Sequence, residues 1–423
     1  MAILAALALR PGEARIVASE PFVAWAKKHA VPIKTVEAGQ GFDDLQPLKR
    51  IIGEARLVGV GEATHGTREF FQFKHRMFEF LVQEMGFTAF AMETDFARAI
   101  KLNDYVLGGA GDAVALVRGM GYWIWNTEEV VALVEWIRQH NLKASTARKV
   151  KFYGFDMQSP SVPLIEALNY LKTVDPERAR EFEPLASKVA PLHVKRDAQK
   201  PARDEAKVAI ERLVRCLESN RARFVQASSD DAWSLALQLA RVSLQGIVHY
   251  NDGTNATRDA AMAKNVQWIA EREGPVGRVM LWAHNGHILH LTSPLQDWFR
   301  WDAVLMGRLL RMKFGRDYVA FGLAFDRGEV RNLQRKISTV GPTDPESLDG
   351  VLARVGLPIF ALELPGRIDD VGAESWLKVK HATHMFGLNQ NANGTEELPI
   401  RDCYEAMIFF AKTTAAHANP GLD

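Results

Sequence analysis

Cysteine is scarce in this sequence, and neither sign of charge is in excess. The 423 residues include only two cysteines, Cys216 and Cys403, far apart and in no metal-binding spacing. This argues against a disulfide framework or a cysteine-ligated zinc and fits a reducing cytoplasm. Lys and Arg total 52 against 51 for Asp and Glu, so the chain lacks the positive field that attracts nucleic acid or an anionic membrane surface. We therefore expect a small-molecule substrate.

Long apolar runs and the common catalytic signatures are also missing. The sequence contains no run of about 18 uncharged apolar residues, the length needed to span a membrane. The apolar opening MAILAALALR has no basic region before it. These features predict a cytoplasmic protein without a membrane partner and leave its oligomeric state open. The sequence has no G-x-S-x-G elbow, Walker loop, G-x-G-x-x-G motif or cysteine beside a histidine. No motif therefore supports a serine hydrolase, a phosphate-loop protein or a dinucleotide-binding protein. No cofactor is expected.

Short aliphatic or β-branched runs predict the strands of a buried sheet. Helical patterns between the early runs favour parallel pairing. We expect an α/β fold with a mostly parallel central sheet flanked by helices, and a large inserted helical subdomain. The predicted catalytic domain is 20–159 plus 276–423, and 160–275 is the insertion that forms part of the active-site wall. The predicted strands are 56–61, 88–92, 150–155, 278–283, 318–325, 358–364 and 405–410.

A polar residue follows each of the first four predicted strands. These residues are Glu62, Glu93, Asp156 and His284. Ligands of open α/β sheets bind at the carboxyl ends of the strands, so the four side chains are expected to meet at one edge. Asp95, close to Glu93, is instead interpreted as the cap of the next helix.

The segment from Gly61 to Lys74 has the highest density of reactive groups. Glu62 and His65 lie three residues apart in a strand-to-helix turn, where a carboxylate can fix the tautomer of a basic imidazole. Thr67 is expected to cap the helix that follows. Lys74 falls on the apolar stripe of that helix, where it could either extend to solvent or enter the crevice to meet Glu93 or a developing negative charge. Arg68 is a further candidate for substrate or oxyanion binding.

Two histidines follow a later strand, and two tryptophans lie near the predicted crevice. The spacing of His284 and His287 could serve a metal, but it is not the helical pattern of the zincins, so metal-free acid-base chemistry is favoured. Trp123 and Trp125 could give an aromatic surface to a bulky, partly apolar ligand, although ordinary core packing explains them as well.

The motifs GEATHGTREFF (61–71), AMET (91–94), YGFDMQ (153–158), RDAAM (258–262) and WAHNGHI (282–288) together resemble the erythromycin esterase family. The resemblance extends in order from about Phe22 to the C-terminal YEAMIF. It implies an α/β fold with a helical insertion and, in members that confer macrolide resistance, hydrolysis of a macrocyclic lactone ester. By position, Glu62, His65 and Glu93 match the family's active-site residues, and its second catalytic histidine is His284 or His287.

This chain differs from the resistance enzymes of the family at Lys74, where they carry arginine. Lysine lacks the planar bidentate grip of a guanidinium, so a group held there by arginine would be held differently in this chain. Some members are labelled for succinoglycan biosynthesis, and the substrate therefore transfers less well than the fold and the site.

We hypothesise that His65, oriented by Glu62, removes a proton from the water that attacks an ester carbonyl. General-base help of this kind supplies about 10²- to 10⁴-fold. Lys74 and a histidine of the 284–287 turn are candidate oxyanion donors, and Glu93 would position the water or anchor Lys74. Two alternatives stay open. One is a metal-dependent hydrolase with His65, Glu93 and His284 or His287 as ligands, and the other is a non-catalytic binder of a bulky hydrophobic ligand.

Overall fold

The computed structural model describes residues 18–146, 149–193, 199–291, 305–385 and 395–420. The opening segment on which the location was predicted lies outside them. The strands within the described residues are β1 (Val31–Pro32), β2 (Leu57–Val60), β3 (Ala89–Asp95), β4 (Lys151–Asp156), β5 (Val279–Trp282), β6 (Tyr318–Arg331), β7 (Ile337–Val340), β8 (Ile359–Glu363), β9 (His381–His384), β10 (Thr395–Leu398) and β11 (Ala406–Thr413).

The central sheet is mixed but mostly parallel, as predicted. In the described part of the chain its strands follow the order β1-β8-β11-β6-β2-β5-β3-β4, and β7 pairs with β6. The neighbours from β11 to β4 are all parallel, whereas β8 is antiparallel to both β1 and β11. The hairpin partner β7 is antiparallel to β6, and β9 and β10 form a separate antiparallel pair.

Helices cover both faces of this sheet. In the described residues they are α1 (Glu20–His29), α2 (Leu48–Ile52), α3 (Arg68–Met85), α4 (Ala99–Val106), α5 (Ala113–Gly119), α6 (Glu128–Lys143), α7 (Ser161–Val174), α8 (Pro176–Val189), α9 (Lys200–Ser219), α10 (Arg221–Ala227), α11 (Asp230–Asp252), α12 (Asn255–Arg272), α13 (Asn285–Ile288), α14 (Met306–Phe314), α15 (Leu348–Ala353), α16 (Val371–Leu377) and α17 (Ile400–Cys403). None of them is long and apolar enough to cross a membrane.

Successive residues of the central strands enter two different cores. In β5, Met280 and Trp282 pack with α3 and α6 on one face, while Val279 and Leu281 pack with α12 and α14 on the other. This alternation follows from the two-residue period of a strand. Because both faces are buried, the strands have the continuous apolar runs by which they were predicted.

The segment predicted as a helical insertion contains α7 to α12, between β4 and β5. Its helices pack around a hydrophobic core that includes Leu164, Ile210 and Leu239 and also Phe96 and Ala97, which precede α4. The division into a sheet domain and an inserted subdomain stays a prediction. The last of these helices, α12, also packs on β4 and α14 and thereby reaches the sheet.

Three helix starts differ in detail from the sequence prediction. Thr67 is the N-cap of α3, but its hydroxyl bonds to Thr64 at 2.9 Å and not to the helix. The spacing of Asn126 and Glu129 predicts Asn126 as the cap of α6, but the cap is Thr127, whose hydroxyl accepts the Val130 N–H, and Asn126 pairs with Asn419. Asp95 ends β3 and accepts the Arg98 N–H at 2.9 Å, one turn before α4 begins.

Candidate active site

The ends of four neighbouring strands bring the predicted polar residues to one edge of the sheet. Glu62 follows β2, His284 comes two residues after β5, and Asp156 ends β4. Glu93 lies within β3, because this strand extends to Asp95. All four side chains are buried, and β2, β5, β3 and β4 are consecutive in the sheet. The expected cluster is therefore present.

Glu62 orients the imidazole of His65. The Nδ1 atom of His65 lies 2.6 Å from Glu62 Oε1, which fixes the proton on Nδ1. His65 is 8% exposed, and its Nε2 has no hydrogen bond to the described part of the chain. A neutral imidazole held in this way presents Nε2 as a proton acceptor to a water molecule or a substrate.

Lys74 lies behind Glu62, away from solvent. Its side chain is 0% exposed, and its ammonium donates to Glu62 Oε2 at 2.7 Å. The Trp282 ring lies 4.4 Å from Nζ, within the range of a cation–π contact. Of the two predicted orientations, extension to solvent is not observed: the ammonium is buried in the polar cluster, and the carboxylate that it bonds is Glu62 and not Glu93. Burial lowers the pKa of Lys74 to about 8, although Glu62 and Glu93 oppose this effect.

Glu93 joins two strand ends and a helix. Its Oε2 accepts the backbone N–H of His284 at 2.9 Å, and its Oε1 accepts from Arg258 Nη2 at 2.6 Å and lies 3.3 Å from His287 Nε2. Burial alone would raise the pKa of Glu93, but the charges of His287 and Arg258 outweigh burial and hold the pKa well below its usual range. Glu93 is thus a fully paired anion.

His284 is a neutral imidazole with a defined tautomer. Its Nδ1 accepts the Gly286 N–H at 3.1 Å, so the ring proton is on Nε2, 3.3 Å from the carbonyl oxygen of Ala63. Burial lowers the pKa of His284 well below its usual range, and the neighbouring His65 and His287 add to the effect. The ring centre lies 5.3 Å from that of His65.

His287 has the opposite charge state. Its Nδ1 lies 3.0 and 3.1 Å from the two carboxylate oxygens of Asp259, and its Nε2 faces Glu93. Burial alone would lower the pKa of His287, but the opposing effect of the Asp259 and Glu93 carboxylates is larger and raises the pKa to about 10. The pKa shifts therefore distinguish the two histidines predicted as alternatives: they favour the neutral form of His284 and the protonated form of His287, although Arg258 Nη1 lies 3.1 Å from His287 Nε2.

Arg258 and Asp259, at the start of α12, complete the cluster but were not predicted as site residues. The Arg258 guanidinium binds Asp156 through Nε at 3.2 Å and Nη2 at 2.7 Å, and it also bonds to Glu93. Asp259 accepts from His287 and from the Met306 N–H. The signal was available, because these residues open the RDAAM motif.

A close approach of two loops supports the cluster. Asn285 donates from its backbone to Glu62 and exchanges two side-chain hydrogen bonds with the backbone of Leu323 in β6. A Cβ atom on Gly61 would lie 2.0 Å from Asn285 Oδ1. Only glycine therefore lets the β2 and β5 loops meet at this distance.

The three remaining predicted binding residues have different surroundings. Trp125 is fully buried, donates from Nε1 to the backbone oxygen of Glu93 at 2.9 Å, and lies edge-on to His65 with ring centres 5.4 Å apart. Trp123 is partly exposed near Arg335. Arg68 pairs with Glu129 at 3.4 Å. Trp125 thus supports the His65 ring from behind, and the roles of Trp123 and Arg68 stay predictions.

A metal site would need donors that converge on one point. Among the described residues, no group of three or more His, Cys, Asp or Glu side chains has that arrangement. Both nitrogens of His284, Nδ1 of His65 and Nδ1 of His287 are directed at protein partners. The cluster therefore has the form of hydrogen-bonded acid-base pairs.

Comparisons with known proteins point to one family. A family model described as erythromycin esterase matches residues 82–413. The erythromycin esterase type II of Escherichia coli is 26% identical over 346 residues, which cover 75% of this chain and 80% of that protein. A crystal structure of a Bacillus cereus protein has a TM-score of 0.83 at 24% identity, covering 95% of this chain and 99% of that one. A mutant of the erythromycin esterase EreC in its open conformation has a TM-score of 0.70 at 17% identity, covering 93% and 99%.

These matches divide the site into two parts. The family model includes Glu93, Arg258, His284 and His287 but begins after the segment that contains Glu62, His65 and Lys74. The structural likenesses confirm the α/β fold.

Proposed function

The chain belongs to the erythromycin esterase family, and on that premise we propose that this hydrolase cleaves a carboxylic ester of macrolactone-like bulk with water as the nucleophile. The Glu62–His65 pair carries the proposal, because its 2.6 Å contact leaves Nε2 as the proton acceptor of the site. Cleavage of macrolides and a part in antibiotic resistance belong to the same proposal. They are supported by the name of the Escherichia coli relative.

The reaction begins with proton transfer from water to Nε2 of His65 while the water oxygen bonds to the ester carbonyl carbon. The resulting tetrahedral oxyanion collapses, the bond to the alkoxide oxygen breaks, and the imidazolium of His65 returns its proton to that oxygen. The products are a carboxylic acid and an alcohol, which remain in one ring-opened molecule when the ester is a lactone. Glu62 keeps its carboxylate beside Nδ1 and stabilises the transient imidazolium.

We assign the oxyanion to His284 rather than to Lys74. The Nε2–H of His284 lies 3.3 Å from the Ala63 carbonyl oxygen, a long contact that a developing negative charge on the substrate can replace. Lys74 is sealed behind Glu62. His287 is engaged by Asp259 and Glu93. Glu93 then holds the His284 backbone in place instead of anchoring Lys74.

The helix α12 contributes to the wall of this site. Arg258 and Asp259 lie within the segment predicted as an insertion, and they hold Glu93 and His287 respectively. A change in the position of α12 would move both groups, so the helical segment would affect turnover as well as substrate entry.

Mass spectrometry of macrolides and simple esters incubated with the enzyme tests the proposal. We expect one substrate to gain the mass of one water with the wild type and with His193→Ala, a matched control at an exposed histidine of the helical segment. His65→Ala should lose this activity by about 10²- to 10⁴-fold. Loss on chelation would favour the metal-dependent hydrolase, and tight binding without turnover would favour the binding protein.

A further inference from the structure

The ammonium of Lys74 occupies a sealed position beside the proposed base. Its contacts are the carboxylate of Glu62 and the face of the Trp282 ring, and its side chain has no exposed surface. A lysine on the apolar stripe of a helix normally extends to water. A buried one is tolerated when it is paired or when its charge changes.

We propose that Lys74 is a positioning residue for the hydrolysis: its protonated form holds Glu62 in the orientation that His65 needs, and loss of that proton sets the alkaline limit of activity. This inference rests on the proposed ester hydrolysis. Lys74 acts through Glu62, since its ammonium contacts Glu62 and Trp282 and makes no hydrogen bond to His65.

The two oxygens of the Glu62 carboxylate bond to different partners, and the proposed role of Lys74 follows from this. One oxygen, Oε1, is bonded to His65 Nδ1, and the other, Oε2, is bonded to Lys74. An ammonium fixes Oε2 by a charge-assisted hydrogen bond. A neutral amine is a weaker donor and would leave Glu62 as a buried carboxylate without its counter-ion, a state that the carboxylate can relieve by rotating or by taking up a proton. Either response weakens the hold on His65.

The charges around Lys74 come from neighbouring strands. Glu62 follows β2 and Glu93 belongs to β3, and both favour the ammonium, whereas burial against the Trp282 ring of β5 disfavours it. Burial is the larger effect and places the pKa at about 8. Four other titratable or charged groups bond to these two carboxylates or lie beside them, namely His65, His284, His287 and Arg258. The remaining charged groups of the cluster are Asp156, which pairs with Arg258, and Asp259, which pairs with His287.

The test is the pH profile of kcat/KM for the wild type and Lys74→Arg, measured with an ester that has no ionisable group. An arginine stays protonated throughout the accessible range. In the wild type, kcat/KM should fall about tenfold per pH unit above about pH 8. Lys74→Arg should keep a flat profile up to about pH 9, where His287, with its pKa of about 10, is still mostly protonated.

Two further variants separate this role from a merely structural one. Lys151→Arg is the matched control, because Lys151 also pairs with a glutamate, Glu273, at 2.9 Å outside the cluster. It should keep the wild-type alkaline limb. Lys74→Met, which removes the charge at similar length, should lower kcat/KM on the order of 10²-fold near pH 7 and lose the pH dependence above pH 8.

The outcomes distinguish this inference from the proposed function. If the wild type hydrolyses no ester at any pH, the proposed function fails and the role of Lys74 fails with it. If the wild type is active but Lys74→Arg, folded by circular dichroism, retains the wild-type alkaline limb, only the role of Lys74 is overturned. If Lys74→Arg does not fold, the pH profile of Lys74→Met is the test. The inference is overturned if kcat/KM of Lys74→Met falls above pH 8 as it does in the wild type.

Discussion

The charge of His287 can be tested through the stability of the protein without any substrate. The perturbation is Asp259→Asn, which removes one negative charge from the 3.0 Å contact with Nδ1. Asparagine keeps an oxygen that can still accept the Met306 N–H, which Asp259 accepts at 2.8 Å. The change in stability therefore reports mainly the charge and not a lost backbone contact.

The expected magnitude follows from the pKa of His287. A rise from 6.5 to about 10 corresponds to roughly 5 kcal/mol at about 1.4 kcal/mol per pKa unit. Asp259 shares this effect with Glu93, so we expect the variant to lose about 3 kcal/mol, within the range found when a buried ion pair is broken. Because the folded protein binds the proton more tightly, the stabilisation is complete below about pH 6.5 and is lost as the pH rises toward 10.

Urea unfolding of the wild type and Asp259→Asn at intervals from pH 6 to pH 10 measures the effect. The difference in free energy of unfolding should be largest at pH 6 and should shrink as the pH approaches 10. Asp204→Asn, at an exposed residue paired with Lys200 on the helical segment, should show no such trend. A difference between wild type and Asp259→Asn that is constant across this range would refute the assignment of His287 as an imidazolium.

Three further predictions concern the rest of the site. His284→Asn should lower kcat on the order of 10²- to 10³-fold with little change in KM, measured by steady-state kinetics on any ester found to be cleaved. Arg258→Lys should lower kcat/KM by about tenfold or more, since an ammonium cannot replace the fork that binds Asp156 and Glu93; unchanged kinetics would contradict that role. Gly61→Ala should lower the unfolding free energy by about 1–3 kcal/mol because its Cβ would meet Asn285 at 2.0 Å. The control Gly366→Ala, with open space around it, should leave thermal unfolding unchanged.

The parallel part of the sheet was predictable because burial on both faces leaves a strong apolar signal. Every predicted strand run overlaps an observed strand of the central sheet. The strands that were missed have little such signal. In β7 the residues are alternately exposed and half-buried, and β1 has only two residues. The partner of β1 is β8, which is distant in sequence, whereas β7 forms a local hairpin with β6. Neither strand has the apolar run by which the buried strands were predicted.

The site was predictable to the extent that it follows strand ends. Glu62, Glu93, Asp156 and His284 were found by that rule, and Lys74 by its position on an apolar stripe. Arg258 and Asp259 lie on the helix α12, where two adjacent charged residues are ordinary on a polar face. Their partners come from β3, β4 and the loop after β5. Only the packing of α12 on the sheet gives these residues their role.

The charged groups of the cluster nearly balance one another. With their carboxylates ionised, Glu62, Glu93, Asp156 and Asp259 contribute four negative charges, while Lys74, Arg258 and His287 contribute three positive ones below about pH 8. The proposed mechanism adds no charge from His65 before it accepts a proton, and burial favours the neutral form of His284. A proton taken from water by His65 would therefore bring the protein groups of the cluster to neutrality, while the negative charge passes to the substrate oxyanion. In a site of low dielectric this compensation favours the transient imidazolium, since every other charge already has its partner in place before the reaction.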